Sequence, residues 1–128
     1  MIFPALLQYS DFGFLILRAA VAIIFLYHAW PKLKNPKGVA QAMGAPSVMP
    51  LVLGLVETLS ALALLTGFYF QLGALALAVV MIGALYLKTT KWHLGFSAMN
   101  ATGWEFDLVL LAGNLLLLTN GPGGLTLF

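Results

Sequence analysis

The sequence contains no cysteine. This absence excludes disulfide bonds, thiol-based redox catalysis and thiolate-bound zinc or iron–sulfur clusters. The common signatures of soluble enzymes are also missing: there is no phosphate-binding glycine loop, no G-x-G-x-x-G fingerprint, no H-E-x-x-H motif and no nucleophile elbow. No motif therefore identifies catalytic residues, and whether the chain is an enzyme stays open at this point.

Charged residues are scarce. They make up 8% of the 128 residues, whereas 62% are hydrophobic and the mean hydropathy is +1.00. A soluble domain carries about 25% charged residues, so this chain has too few polar side chains to cover a surface in water. We therefore expect an integral membrane protein with lipids as its surroundings. The net charge of +2 is too small to indicate nucleic-acid binding.

Four apolar stretches are long enough, or nearly long enough, to cross a bilayer, which requires about 20 helical residues. None of them alternates polar and apolar residues as the strands of a membrane β-barrel do. The predicted fold class is all-α, a polytopic membrane protein whose single domain, 1–128, is a four-transmembrane-helix bundle. The helices are expected at 12–30, 49–66, 69–87 and 103–119. Pro31 is expected to end the first helix, with a loop or a short interfacial helix after it.

The lysines predict the topology. All five lie at one end of the predicted bundle: Lys32, Lys34, Lys37, Lys88 and Lys91. Loops rich in lysine and arginine stay on the cytoplasmic side of a membrane. We therefore expect loops 31–48 and 88–102 to be cytoplasmic and both termini to lie outside.

Four polar residues fall inside the apolar stretches: Arg18, Glu57, Asp107 and Asn114. A guanidinium at the centre of a membrane helix costs roughly 2.5–3.5 kcal/mol on insertion scales, so Arg18 needs a partner. The helical rise places Arg18 level with Asn114, and Glu57 level with Asp107. We expect one intramembrane cluster that binds a ligand or relays protons, in which one of the two carboxylates keeps its proton. The alternative is that the cluster only fixes the helices in register.

A second polar group is expected at the membrane surface, at the lysine end. It comprises His28, Lys32, His93 and Glu105. Two histidines and a glutamate could in principle hold haem or a metal. However, His93 falls in a predicted loop, and no histidine and glutamate are spaced three or four residues apart. We therefore predict no metal site, and the pattern disfavours haem.

Small residues recur at helical spacing on two of the predicted helices. Gly54, Thr58 and Ala61 form one stripe, and Gly73, Ala76, Val80 and Gly83 form the other. Such stripes allow helices to approach closely in lipid. They are expected to pack within the bundle, or alternatively to form the face of a homo-oligomer.

Several motifs in order along the chain resemble those of the DoxX family of small four-helix membrane proteins. Arg18 lies early in the first helix, and residues 25–33 read FLYHAWPKL, similar to the family's F-x-x-H-G-x-x-K-L, with Ala29 in place of its glycine. Residues 54–68 read GLVETLSALALLTGF, similar to the family's G-x-x-E segment and tight turn. Glu105 stands where the family has a glutamate at the start of helix four, and residues 121–123 match its terminal G-P-G.

The resemblance implies a protein of the prokaryotic cell membrane, because some family members are membrane subunits of thiosulfate:quinone oxidoreductases. It suggests an accessory, non-catalytic subunit of a quinone-linked oxidoreductase, associated with other membrane subunits or with further copies of itself. Quinone is the cofactor this implies: Arg18 would hydrogen-bond a carbonyl oxygen, Glu57 or Asp107 would accept protons, and His28 would pass them on. The alternative is a purely structural or assembly subunit of a larger membrane complex.

Overall fold

The computed structural model describes residues 1–99 and 101–127, and within them it contains helices and no strand. The predicted all-α fold class is confirmed. A 3₁₀ turn, Pro4–Tyr9, precedes the first helix, and a π-helical turn, Leu87–Lys91, extends the fourth. The five α-helices are α1 (Ser10–Lys34), α2 (Pro36–Met43), α3 (Val48–Thr66), α4 (Phe70–Tyr86) and α5 (Trp104–Asn120).

Among the described residues, three helical segments are long and apolar enough to cross a membrane. They are Pro4–Lys34, Val48–Thr66 and Phe70–Lys91. The protein is therefore helical and polytopic, as the composition predicts. Helix α5 has 17 residues and is shorter than these three segments.

The first helix does not end at Pro31, which corrects the prediction from sequence. Pro31 lies inside α1, which continues to Lys34. Proline lacks an N–H and removes one intrahelical hydrogen bond, but neighbouring helices compensate for this in membrane segments. The carbonyl of Pro31 accepts a hydrogen bond from the backbone N–H of Asn35 at 2.8 Å, which closes the last turn. As a result, Lys32 has a fixed position on a helix instead of lying in a loop.

The other boundaries agree closely with the predicted ones. Helices α3, α4 and α5 each begin and end within one residue of the expected limits. Gly67 adopts a left-handed conformation (φ 87°) at the turn between α3 and α4, which favours glycine because a side chain would clash there. The segment after the first membrane helix contains the short helix α2, where the Asn35 side chain accepts a hydrogen bond from the Gly38 N–H at 3.2 Å.

The helices form a bundle in which α1 packs on α3, α3 on α4, and α4 on α5, and a smaller contact between α5 and α1 closes the ring. Helix α2 lies across α1 and α3 at the end of the bundle that carries the lysines, hereafter the lysine end. The core is built from leucine, phenylalanine and alanine side chains, among them Ala22, Phe25, Ala61, Leu64, Ala74, Leu77 and Leu117. Large apolar side chains also cover the outside, including Ile23, Leu59, Leu72, Val79 and Val109. An apolar exterior of this extent is typical of contact with lipid.

Candidate functional site

The structure divides the predicted intramembrane cluster between the two ends of the bundle. Arg18, Glu57, Asp107 and Asn114 are all buried, each no more than 3% exposed. They do not form a single network. Glu57 and Asp107 have lysine partners near the lysine end, whereas Arg18 lies near the chain termini, at the opposite end.

Arg18 binds the C-terminal tail. Its guanidinium donates hydrogen bonds to the carbonyl oxygens of Pro122 and Leu125, at 3.1 and 2.8 Å. Asp11, two turns earlier on α1, accepts a hydrogen bond from the Gly124 N–H at 2.8 Å. A Cβ atom at position 124 would lie only 2.7 Å from the Asp11 carboxylate, so a larger residue there would displace the Asp11 side chain. Arg18 thus finds its partners in two backbone carbonyls of the tail, that of Pro122 within the G-P-G motif and that of Leu125 beyond it.

Asn114 is fully buried and bonds within its own helix. Its amide group donates to the carbonyl oxygen of Leu110 at 2.8 Å. Its side-chain oxygen has no hydrogen-bond partner among residues 1–99 and 101–127. The structure therefore does not pair Asn114 with Arg18, although the two were expected at the same depth.

Glu57, near the middle of α3, forms an ion pair with Lys32. The Lys32 Nζ atom lies 2.6 Å from Glu57 Oε1 and donates a hydrogen bond to it. The side chain of Glu57 is 2% exposed and that of Lys32 is 18% exposed. The lysine, placed on the last turn of α1, therefore extends into the bundle to reach the carboxylate. The second carboxylate oxygen, Oε2, is buried and has no hydrogen-bond partner within the described part of the chain.

Asp107, on the first turn of α5, pairs with Lys88. The Lys88 Nζ atom lies 2.6 Å from Asp107 Oδ2 and donates a hydrogen bond to Thr102 Oγ1 at 2.7 Å. Lys88 belongs to the π-helical turn and is itself buried. This wider turn brings a lysine from the end of α4 into the interior of the bundle. The α4–α5 connection is thereby tied to the start of α5.

Each buried carboxylate thus has its own ammonium group. Sequence reasoning set one cation, Arg18, against two carboxylates and left an excess negative charge. The structure instead places Lys32 beside Glu57 and Lys88 beside Asp107. The sequence pattern predicts both lysines at the membrane surface. The position of Asp107 in the sequence could have identified its pairing with Lys88. Asp107 lies three residues into α5, roughly 5 Å along the helix axis, so it is close in depth to Lys88, which follows α4.

A cavity of about 410 Å³ lies between α1, α3, α4 and α5 in the half of the bundle nearest the lysine end. Both ion pairs line it, together with His28 and Trp92. Most of the remaining wall is apolar, including Ile24, Phe25, Met49, Leu53, Val80, Phe106 and Leu110. Pockets for small molecules have volumes of roughly 300–1,000 Å³ and combine apolar walls with a few polar groups. We take this cavity, with its two ion pairs, as the candidate site.

The predicted interfacial group is also divided. His28 is half-buried in the cavity wall, with its ring 5.4 Å from that of Phe106. Glu105 lies on the first turn of α5 and forms no ion pair with any residue the structure describes. His93 is exposed in the loop before α5, in a left-handed conformation with φ 51°. No group of three or more metal-ligating side chains occurs within the described ranges.

The chemistry available in the cavity follows from these groups. The ammonium groups of Lys32 and Lys88 can donate hydrogen bonds to a carbonyl or hydroxyl oxygen, and the His28 imidazole can donate or accept one. Glu57 and Asp107 can exchange protons with such a group. The apolar wall favours a ligand whose polar part is small and whose remainder is hydrophobic.

Replacing one partner of the Lys32–Glu57 ion pair should destabilise the protein more than replacing the other. Lys32→Met should lower the free energy of unfolding by about 3–5 kcal/mol, because it leaves a buried carboxylate without a counterion. Glu57→Gln should cost less, because the lysine stem can carry its ammonium to the membrane surface. The double variant should recover most of the loss. Chemical unfolding in detergent measures all four proteins, and single losses that add up in the double variant would contradict the pairing.

Comparison with known proteins gives the family. The DoxX family model matches residues 13–90. The inner membrane protein YqjF of Escherichia coli (strain K12) is 34% identical over 119 residues, which cover 89% of this chain and 88% of that protein. The inner membrane protein YphA of the same organism is 30% identical over 136 aligned positions, covering 94% and 96%. No solved structure matches the chain. The protein therefore belongs to the DoxX family and is an integral protein of a prokaryotic cell membrane.

Proposed function

We propose that the protein is a four-span membrane subunit whose cavity binds the ring of a quinone, and that it serves a quinone-linked oxidoreductase as an accessory subunit. The observation that carries this proposal is the convergence of two buried ion pairs and His28 on one largely apolar cavity. Quinones combine a small ring bearing two oxygens with a hydrophobic remainder, which is the ligand chemistry that such a wall favours.

The proposal requires α5 to be the fourth span. At its start, the Trp104 N–H donates to the Gly95 carbonyl at 3.2 Å and Asp107 meets Lys88, so this end lies with the lysines. At its other end, α5 leads into the tail that Arg18 binds on the early turns of α1. Its 17 residues extend about 26 Å, close to the roughly 30 Å of a bilayer's hydrocarbon core.

The proposed orientation follows from the same geometry. Lys91 Nζ donates to the Gly44 carbonyl at 3.0 Å, so the segments 31–48 and 88–102 meet at one end of the bundle. The positive-inside rule then places this end in the cytoplasm and both termini outside.

A reporter fused after residue 128 tests the four-span topology. Alkaline phosphatase, which is active only outside the cytoplasm, should be active in this fusion, and a fluorescent-protein fusion at the same place should be dark. The same two reporters fused after residue 99 should give the reverse pattern. A fluorescent C-terminal fusion would show that α5 does not cross the membrane.

In this proposal the lysines take the role that sequence reasoning gave to Arg18. Arg18 is engaged with the tail, whereas Lys32 lines the cavity and keeps 18% of its side chain exposed. Its ammonium would donate a hydrogen bond to a quinone carbonyl oxygen. Glu57 and Asp107 would accept and release the protons of quinone reduction, and His28 would pass them towards the lysine end.

The second candidate function is a structural or assembly subunit of a larger membrane complex. The observation that favours it is that each carboxylate is already paired within the chain, so the ion pairs could serve only to position helices. This role predicts that Glu57→Gln leaves electron transfer by the complex intact. The proposed quinone role predicts that the same variant lowers turnover of the complex while the subunit remains assembled.

Quinone binding can be measured by fluorescence, because Trp92 lines the cavity and quinones quench tryptophan. Titration of a short-chain ubiquinone into the protein in nanodiscs should give saturable quenching that Trp92→Phe removes. Leu53→Phe should weaken binding about tenfold, or about 1.4 kcal/mol, because the larger side chain fills the cavity.

Leu55→Phe is the matched control, since Leu55 lies on the same helix with half of its side chain exposed outside the bundle. It should bind as the wild type does. The absence of saturable quenching in the wild type, or equal affinities for the two leucine variants, would count against quinone binding in this cavity.

A further inference from the structure

The cavity is open on one side of the bundle. Among its lining residues, Met49 on α3 and both Val79 and Gly83 on α4 are exposed. Val79 is 59% exposed and lies one turn from Gly83 on the same face of α4. Met49 and Gly83 lie near the lysine end of these two antiparallel helices, and Val79 lies one turn deeper on α4, so the opening runs between α3 and α4 and faces the surrounding lipid.

The spacing around α4 differs along its length. At Gly73, near the turn, a Cβ atom would lie 2.8 Å from Ala63 Cβ and 3.0 Å from the Ser60 carbonyl oxygen, so α3 and α4 touch closely. At Gly83, a Cβ atom would meet nothing within 4 Å. The stripe of small residues on α4 therefore allows close helix packing only at the end near the α3–α4 turn. At the other end, its glycine borders open space at the edge of the cavity.

The end of the cavity that faces the cytoplasm in the proposed orientation is lined differently. The apolar side chains of Val39 and Met43 on α2, together with Trp92, form part of the wall there. Thr102 is the exposed polar residue of the lining, and its hydroxyl accepts the hydrogen bond from Lys88. The apolar, exposed part of the rim is thus on the lipid side, and the charged groups lie inside.

We propose that the ligand enters from the bilayer between α3 and α4, and that it carries a long apolar tail that remains in this gap, past Gly83, while its polar ring lies beside Lys32 and Glu57. This inference rests on the proposed function. It extends that function by specifying a lipid-soluble, tailed ligand and by identifying Gly83 as the residue that leaves room for the tail. A volume of about 410 Å³ suits the ring, and the lateral opening provides for the tail.

The test compares decyl-ubiquinone with the same methoxy-substituted ring lacking a tail, both titrated into nanodiscs. Each affinity is expressed as the mole fraction of ligand in the bilayer at half-saturation. Partitioning of the tail into lipid then does not contribute to the difference between the two ligands. Gly83→Leu should weaken binding of decyl-ubiquinone about tenfold and leave the tailless ring within about twofold. Val79→Phe, on the adjacent turn of the same face, should give the same pattern.

Two control variants show whether a loss of binding depends on position 83 and on the size of the new side chain. Gly13→Leu makes the same change in an exposed helical glycine at the opposite end of the bundle, where a Cβ atom also meets nothing within 4 Å. It should bind both ligands as the wild type does. Gly83→Ala should also retain binding, because a methyl group is too small to close the gap. Both leucine variants should fold, because leucine favours helix over glycine.

The outcomes separate the two proposals. If neither ligand binds the wild type, quinone binding itself is overturned. If both ligands bind the wild type and Gly83→Leu changes affinities no more than Gly13→Leu does, the lateral route is overturned and quinone binding stands. An equal loss of both ligands in Gly83→Leu would also overturn the tail path, because it would place position 83 against the ring.

Discussion

The pairing of Lys32 with Glu57, repeated by Lys88 and Asp107, is the interaction on which the rest of the structure depends. In a bilayer core no water is available to solvate a carboxylate, so an ionised carboxylate there needs a counterion inside the bundle. The first pair joins α1 to α3, and the second joins the end of α4 to α5. Each pair ties two neighbouring elements in the half of the bundle nearest the lysine end, and both pairs line the cavity.

The opposite end of the bundle satisfies its buried charge in another way. Arg18 finds no carboxylate within ion-pair distance among the described residues and instead binds two backbone carbonyls of the tail. The tail is held at two further points: Asp11 accepts from Gly124, and the Leu127 N–H donates to the Thr66 carbonyl at 3.0 Å. The termini therefore form a closed end held by backbone hydrogen bonds, whereas the two buried ion pairs and the cavity lie nearer the lysine end. Arg18 and the cavity-lining lysines therefore lie at opposite ends of the bundle.

The sequence predicted the elements well and the partners poorly. Hydropathy located α3, α4 and α5 to within a residue, because helix length is limited by the bilayer and by glycine and proline at the turns. It misjudged the end of α1, because proline is tolerated in membrane helices whose neighbours compensate. It also placed Arg18 in one cluster with Glu57, Asp107 and Asn114, because depth along a helix does not give the direction of a side chain. Lysine stems are long enough to reach inward from a helix end, and no sequence pattern marks the backbone carbonyls of the tail as acceptors for Arg18.

The 2.6 Å contact between Lys32 and Glu57 predicts that the cavity wall holds an ionised pair and not a protonated carboxylic acid. Infrared difference spectroscopy of wild type against Glu57→Gln, at neutral pH in lipid, tests it most directly. The ion pair with Lys32 predicts that the substitution removes the two stretching bands of an ionised carboxylate. Loss of the carbonyl band of a protonated carboxylic acid instead would contradict the pairing, and with it the account of how this membrane interior accommodates charge.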